Sequence, residues 1–125
     1  MCLNIKWWSV KKIALTDIVC YKNVSKDSQL TNVFKTPHRY ALVRIGETYK
    51  SELVRDIDGL FGDHSIEEGL HSFIHLKDAQ RRSAFLIVKC IIPRGSRYYS
   101  GRWGYNKKAE KCYASNRLKY VEFVT

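Results

Sequence analysis

Apolar residues fall along this chain in short runs, most of them too brief and too poor in helical periodicity for long helices. The longest run, Phe85-Leu-Ile-Val-Lys-Cys-Ile-Ile92, alternates in a way that places Leu86, Val88, Cys90 and Ile92 on one face and Phe85, Ile87, Lys89 and Ile91 on the other. Both faces are mainly apolar, so it reads as an interior strand covered on both sides. Pro93 and Gly95 then turn the chain out of the sheet. Ile18-Val-Cys-Tyr21 predicts a strand over about residues 17–23, and Tyr40-Ala-Leu-Val-Arg-Ile45 a second, ended by a turn or bulge at Gly46.

Farther along, Ser51 with apolar residues at 53, 54 and 57 predicts one or two helical turns, and Ser65 to Glu68 a short turn. Leu70 to Ile74 reads as a strand. His75 to Arg82 follows as a short helix, with Leu76 and Ala79 inward and Lys77, Asp78, Arg81 and Arg82 toward water. After the Pro93 turn come an extended Arg97 to Tyr99, a glycine-bearing loop from Ser100 to Lys108, a brief Cys112 to Ala114, and a closing strand from Leu118 to Val124. Strands without βαβ alternation predict an α+β fold: a curved, mainly antiparallel sheet with one or two short helices against it.

Length bounds this at one domain, residues 1–125, since the chain is 125 residues long. No apolar run approaches membrane-spanning length, and the start, with Trp7 and Trp8, lacks the pattern of a secretory signal, which points to a cytoplasmic protein. One of the two tryptophans is expected to pack inward and the other to cap a groove or contact. Cys2, Cys20, Cys90 and Cys112 are scattered, which favours free buried thiols over disulfides or a nucleophile. His71 and His75 are not aligned for a metal, and nothing in the sequence calls for a cofactor.

Charge alters this picture more than composition does. Of a net +10, residues 1–50 carry nine Lys/Arg against three Asp/Glu, residues 51–86 four against seven, and residues 87–125 nine against two. Two basic ends flanking an acidic middle suit a polyanion. The C-terminal stretch mixes cations with flat side chains: Arg94, Arg97, Tyr99, Arg102, Trp103, Lys107, Lys108, Lys111 and Arg117 are the candidate contacts to nucleic acid or a partner protein. The alternative is that half the aromatics belong to the core and the cations solvate the outside.

Several segments together resemble a family of small uncharacterised proteins from gut anaerobes and their bacteriophages. They are Met1-Cys-Leu3, Asp17-Ile-Val-Cys-Tyr-Lys22, Gly46-Glu-Thr-Tyr49, Glu67-Glu-Gly-Leu-His-Ser-Phe73 with Asp78-Ala79, Lys89-Cys-Ile-Ile-Pro-Arg-Gly-Ser-Arg-Tyr-Tyr99, and Tyr113-Ala-Ser-Asn-Arg-Leu-Lys-Tyr120. The resemblance implies a phage or mobile-element origin, a host-cell cytoplasm, and no assigned catalytic residues. A looser likeness, in Gly69-Leu-His71, the Lys77-Asp-Ala79 helix and the strand ending Pro93-Arg-Gly95, is to ADP-ribosyltransferase-like domains. It implies a nicotinamide-nucleotide cleft lined by Tyr21, His71 and Glu122, although no paired acidic residue accompanies Glu122 because Tyr120 stands two positions earlier. The expected function is therefore non-enzymatic binding of nucleic acid or a host protein. A transferase-like enzyme or nucleotide-binding relic, and an antagonist of host defence acting by protein contact, stand as alternatives.

Overall fold

The computed structural model describes residues 3–6, 9–26, 33–35, 42–58, 63–81, 86–103 and 110–124. The N-terminal part supplies β1 (Leu3–Ile5), β2 (Lys12–Ile13), β3 (Ile18–Lys26), β4 (Val33–Lys35), β5 (Leu42–Arg44) and β6 (Thr48–Lys50). The middle supplies β7 (Val54–Asp58), β8 (Asp63–Glu68), β9 (Leu70–Phe73) and the helix α1 (Leu76–Gln80). The last stretch forms β10 (Leu86–Ile92), β11 (Arg97–Trp103), β12 (Glu110–Ser115) and β13 (Arg117–Phe123).

These strands form one antiparallel sheet in the order β6-β13-β10-β3-β9-β12-β11-β1-β8-β7, with β2 on β11 and β4 between β3 and β5. It curls into a half-barrel. With thirteen strands and one five-residue helix among the described residues, the fold is mostly β and not the α+β class expected from the sequence.

The segments that overturn that expectation are the two turns read between Ser51 and Glu68. Val54–Asp58 and Asp63–Glu68 instead pair as the β7–β8 hairpin, from Val54↔Glu68 to Asp58↔Asp63. A helix of one or two turns barely repays its nucleation, whereas β8 is bonded on both sides, by β1 and by β7, and so carries Val54–Asp58 as the outer strand of the sheet. The connection at residues 59–62 lies outside the described residues, as do Trp7, Trp8, Pro37, Arg82 and Phe85.

β10 does occupy the interior position. It runs in register with β3 from Leu86↔Val24 to Ile92↔Ile18, and β13 pairs on its other side with a bulge between Lys89 and Cys90. Only one face is fully covered: Val88, Cys90 and Ile92 are buried, while Ile87, Lys89 and Ile91 are half-buried. Leu86, expected in the core, is 46% exposed at the strand end. α1 confirms Ala79 as its buried residue, but Asp78 is buried too and approaches Arg81 at 3.7 Å instead of facing water.

The sheet carries apolar clusters on opposite faces. Cys20, Val24, Val88, Cys90, Ile92, Leu118 and Tyr120 form one, with Tyr98 and Tyr113 packed against it. Leu3, Ile5, Ile66, Tyr99, Cys112 and Ala114 form the other. Consecutive residues of β11 and β12 thus serve different cores, as strand alternation requires. Beyond β11 the face that covered the first core becomes polar. One transverse row there reads Lys111↔Arg102, Arg102↔Asn4, Asn4↔Ser65, Ser65↔Asp56 across five strands.

Two glycines make the junctions possible. Gly95 adopts φ +85° in the turn after Pro93, a left-handed conformation that costs glycine least, and its N–H donates to the Ala14 carbonyl at 2.8 Å. Gly101 lies under β1: a Cβ there would run into the Asn4 carbonyl and stand 2.9 Å from an Ile5 methyl.

Candidate anion-binding cleft

The predicted cationic residues separate into two groups. Arg94, Arg97 and Arg117 gather at the end where β10 turns into β11: Arg117 donates to the Arg94 carbonyl at 3.4 Å, and the Arg94 N–H donates to Asp17 Oδ1 at 2.9 Å. The Arg97 N–H donates to Asn116 Oδ1 at 2.9 Å, which ties this turn to the one between β12 and β13. Arg102 and Lys111 lie five residues farther along the β11–β12 ladder, roughly 17 Å away, and Arg102 points to the opposite face from Arg97. No single groove holds them all. Lys107 and Lys108 lie outside the described residues; Trp103 is placed by its backbone pairing with Glu110.

Arg102 and Lys111 line an open cleft together with Lys6, Asn4, Ser9, Ser100 and Ile74. Its volume, about 390 Å³, lies in the range of small-ligand sites. Among the described residues three cations line it and no carboxylate does. Arg102 and Lys111 stand directly opposite each other across the ladder, where like charges oppose folding by up to about 1 kcal/mol. Both are exposed, and no described carboxylate lies within ion-pair distance of either. An anion bridging the pair would turn that repulsion into attraction.

Lys6 and Ser9 are held in place by Arg55 on β7. Its guanidinium donates to the Ser9 carbonyl at 2.5 Å and to the Lys6 carbonyl at 3.5 Å, and lies 5.9 Å over the Tyr99 ring. Its Nε and Nη2 reach His64 Nδ1 at 3.1 and 2.8 Å. Since an arginine only donates, Nδ1 is the acceptor and a neutral His64 carries its proton on Nε2. No local pattern marks Lys6 or this clamp in the sequence: Lys6 and Ser9 follow β1, Arg55 lies on β7 and His64 on β8, and only strand register brings them together.

The aromatics serve the fold more than the surface. Tyr99, expected as a contact residue, is 6% exposed in the second core. Tyr98 and Tyr113 stack edge-to-face at 5.6 Å, packed on the first core. Among the described side chains of the C-terminal stretch, then, cations supply the surface and tyrosines the packing.

Tyr21, His71 and Glu122 share one face of the sheet without converging. Tyr21 pairs with Lys89 and Lys89 with Glu122, so a lysine stands between two of the three, and Lys89 Nζ lies 4.0 Å from the Glu122 carboxylate. Tyr21 also pairs with Phe73, two residues from His71. None of them lines the cleft described above. Cys20 and Cys90 are buried and directly opposed across β3 and β10. Burial pushes the Cys20 thiol up to about 11 and raises Cys90 as well. Among the described residues no group of three or more His, Cys, Asp or Glu is placed to hold a metal ion. No described helix is long and apolar enough to cross a membrane.

Compared with protein-family models, curated proteins and solved structures, the chain matches none.

Proposed function

We propose that the protein binds nucleic acid without catalysis, holding backbone phosphates in the cleft formed by Lys6, Arg102 and Lys111. The observation that carries this reading is the cross-strand pair of Arg102 and Lys111, which no described carboxylate neutralises and whose repulsion an anion between them would relieve. The net charge of +10 adds long-range attraction for a polyanion. With Tyr98, Tyr99 and Tyr113 engaged in packing, recognition in the cleft is of the phosphate backbone and not of base faces. The resemblance to small proteins of gut anaerobes and their phages supports a mobile-element origin and a host cytoplasm as the setting.

The test is a salt titration of binding to single-stranded and double-stranded oligonucleotides. Arg102→Ala and Lys111→Ala are each expected to weaken binding uniformly across sequences and to lower the slope of log K against log salt by about 1. Absence of binding at about 50 mM salt, or slopes unchanged in both variants, overturns the reading.

A further inference from the structure

A second surface, separate from the cleft, carries an interaction of a different kind. Between β1 and β3 the chain exposes three large apolar side chains: Val10 at 67%, Ile13 at 51% and Leu15 at 81%. Ile13, Leu15 and Ile18 line an open groove with Lys11, Lys12 and Tyr98. Isolated exposed apolar residues are ordinary on a protein surface, but a cluster rimmed by charge marks a contact.

The backbone beside this groove is a sheet edge. Among the described residues β2 pairs only with β11, through Lys12↔Tyr98 and Ile13↔Arg97. Ala14 extends that pairing: its N–H donates to the Ser96 carbonyl at 2.8 Å, and its carbonyl accepts from the Gly95 N–H at 2.8 Å. In an antiparallel ladder both backbone groups of one residue point to the same side, and the side alternates along the strand. Ile13, between Lys12 and Ala14, therefore aims its N–H and C=O groups away from β11, where another strand can add, before the chain bends at Leu15.

The charges around the edge have one sign. Lys11, Lys12 and Arg97 are exposed, and no described carboxylate lines the groove. The Asp17 carboxylate nearby accepts the Arg94 N–H.

We propose that β2 is a docking edge for an extended segment of a partner protein in which acidic and apolar residues alternate. Its backbone pairs with Ile13, its apolar side chains pack on Ile13, Leu15 and Ile18, and its carboxylates, on the other face of the added strand, meet Lys12, while Lys11 and Arg97 add positive charge at the margin. A strand edge running beside a concave groove suits a chain and not a lipid surface, which is planar and offers no ladder partner. This inference stands independently of the nucleic-acid reading, because none of its residues lines the Lys6–Arg102–Lys111 cleft.

The probe is a short fluorescent peptide alternating Glu and Val, compared with a Lys/Val counterpart and with phosphatidylglycerol vesicles, in the full chain. The Glu/Val peptide is expected to bind and the Lys/Val peptide not to. Combined charge reversal, Lys11→Glu with Lys12→Glu, should weaken binding at least about tenfold at low salt. Ile13→Pro removes a donor aimed at the open edge without removing a β2–β11 hydrogen bond and should weaken it comparably; circular dichroism and thermal melting confirm that each variant is folded. A second pair, Leu15→Asp and Leu15→Ala, reports on the apolar contact should the proline variant fail to fold. Equal affinity for both peptides, binding to vesicles but not to the Glu/Val peptide, or self-association of the free chain abolished by Leu15→Asp each overturns the proposal. Oligonucleotide binding measured on the same variants separates this outcome from failure of the cleft.

Discussion

Arg55 shows how far one side chain reaches in this fold. It sits on β7, yet it holds the backbone at Lys6 and Ser9, which line the cleft, and it covers Tyr99 in the second core. Lysine retains the charge but lacks the fork, so Arg55→Lys should cost about 2 kcal/mol in urea unfolding and weaken oligonucleotide binding, although Arg55 does not line the cleft. At Cys20 and Cys90 burial dominates: with the thiolate disfavoured, neither thiol is a nucleophile at neutral pH. Together with Cys112, which is 1% exposed, they should resist a thiol reagent at about pH 8 in the native state and label rapidly once urea unfolds the chain. Fast native labelling at Cys20 would show that β3 and β10 open readily. Sequence foresaw Cys20 and Cys90 as inert because they sit inside apolar runs. It assigned Tyr99 to the surface for want of any local sign distinguishing it from Tyr98.

At the level of elements, the decisive contact is the pairing of β1 beside β11. Gly101 lets the two backbones approach, and the added methyl of Gly101→Ala meets the Asn4 carbonyl and the Leu3 and Ile5 side chains. The variant should lose about 1–3 kcal/mol in chemical denaturation and lose cleft binding with it, because Asn4 and Lys6 move with β1. A melting temperature equal to wild type would mean that β1 packs elsewhere. The β9–α1 succession and the Pro93–Gly95 turn were legible because periodicity, proline and glycine act locally. The β7–β8 hairpin was not: Leu53, Val54 and Ile57 fit a helical stripe, and what makes their segment a strand is pairing with β8, which itself pairs with β1.

For the whole molecule, a half-barrel with its cores on opposite faces explains why the basic C-terminal stretch does not form one surface. Successive residues of β11 feed different cores, so its arginines leave the sheet on different faces and at different ends. The result is two separate basic regions, one a cleft and one beside an open strand edge. What the sequence alone determined is what short-range chemistry decides: the interior strand from Leu86 to Ile92, the turn after it, the short helix at Leu76–Gln80 and the excess of positive charge. Tertiary structure alone decided the mostly β class, the burial of Tyr99, and the meeting of Lys6 with Arg102 and Lys111. Those depend on register between strands distant in the chain, and a register is fixed by which apolar faces can be buried together, a property of the assembled sheet and not of any one segment.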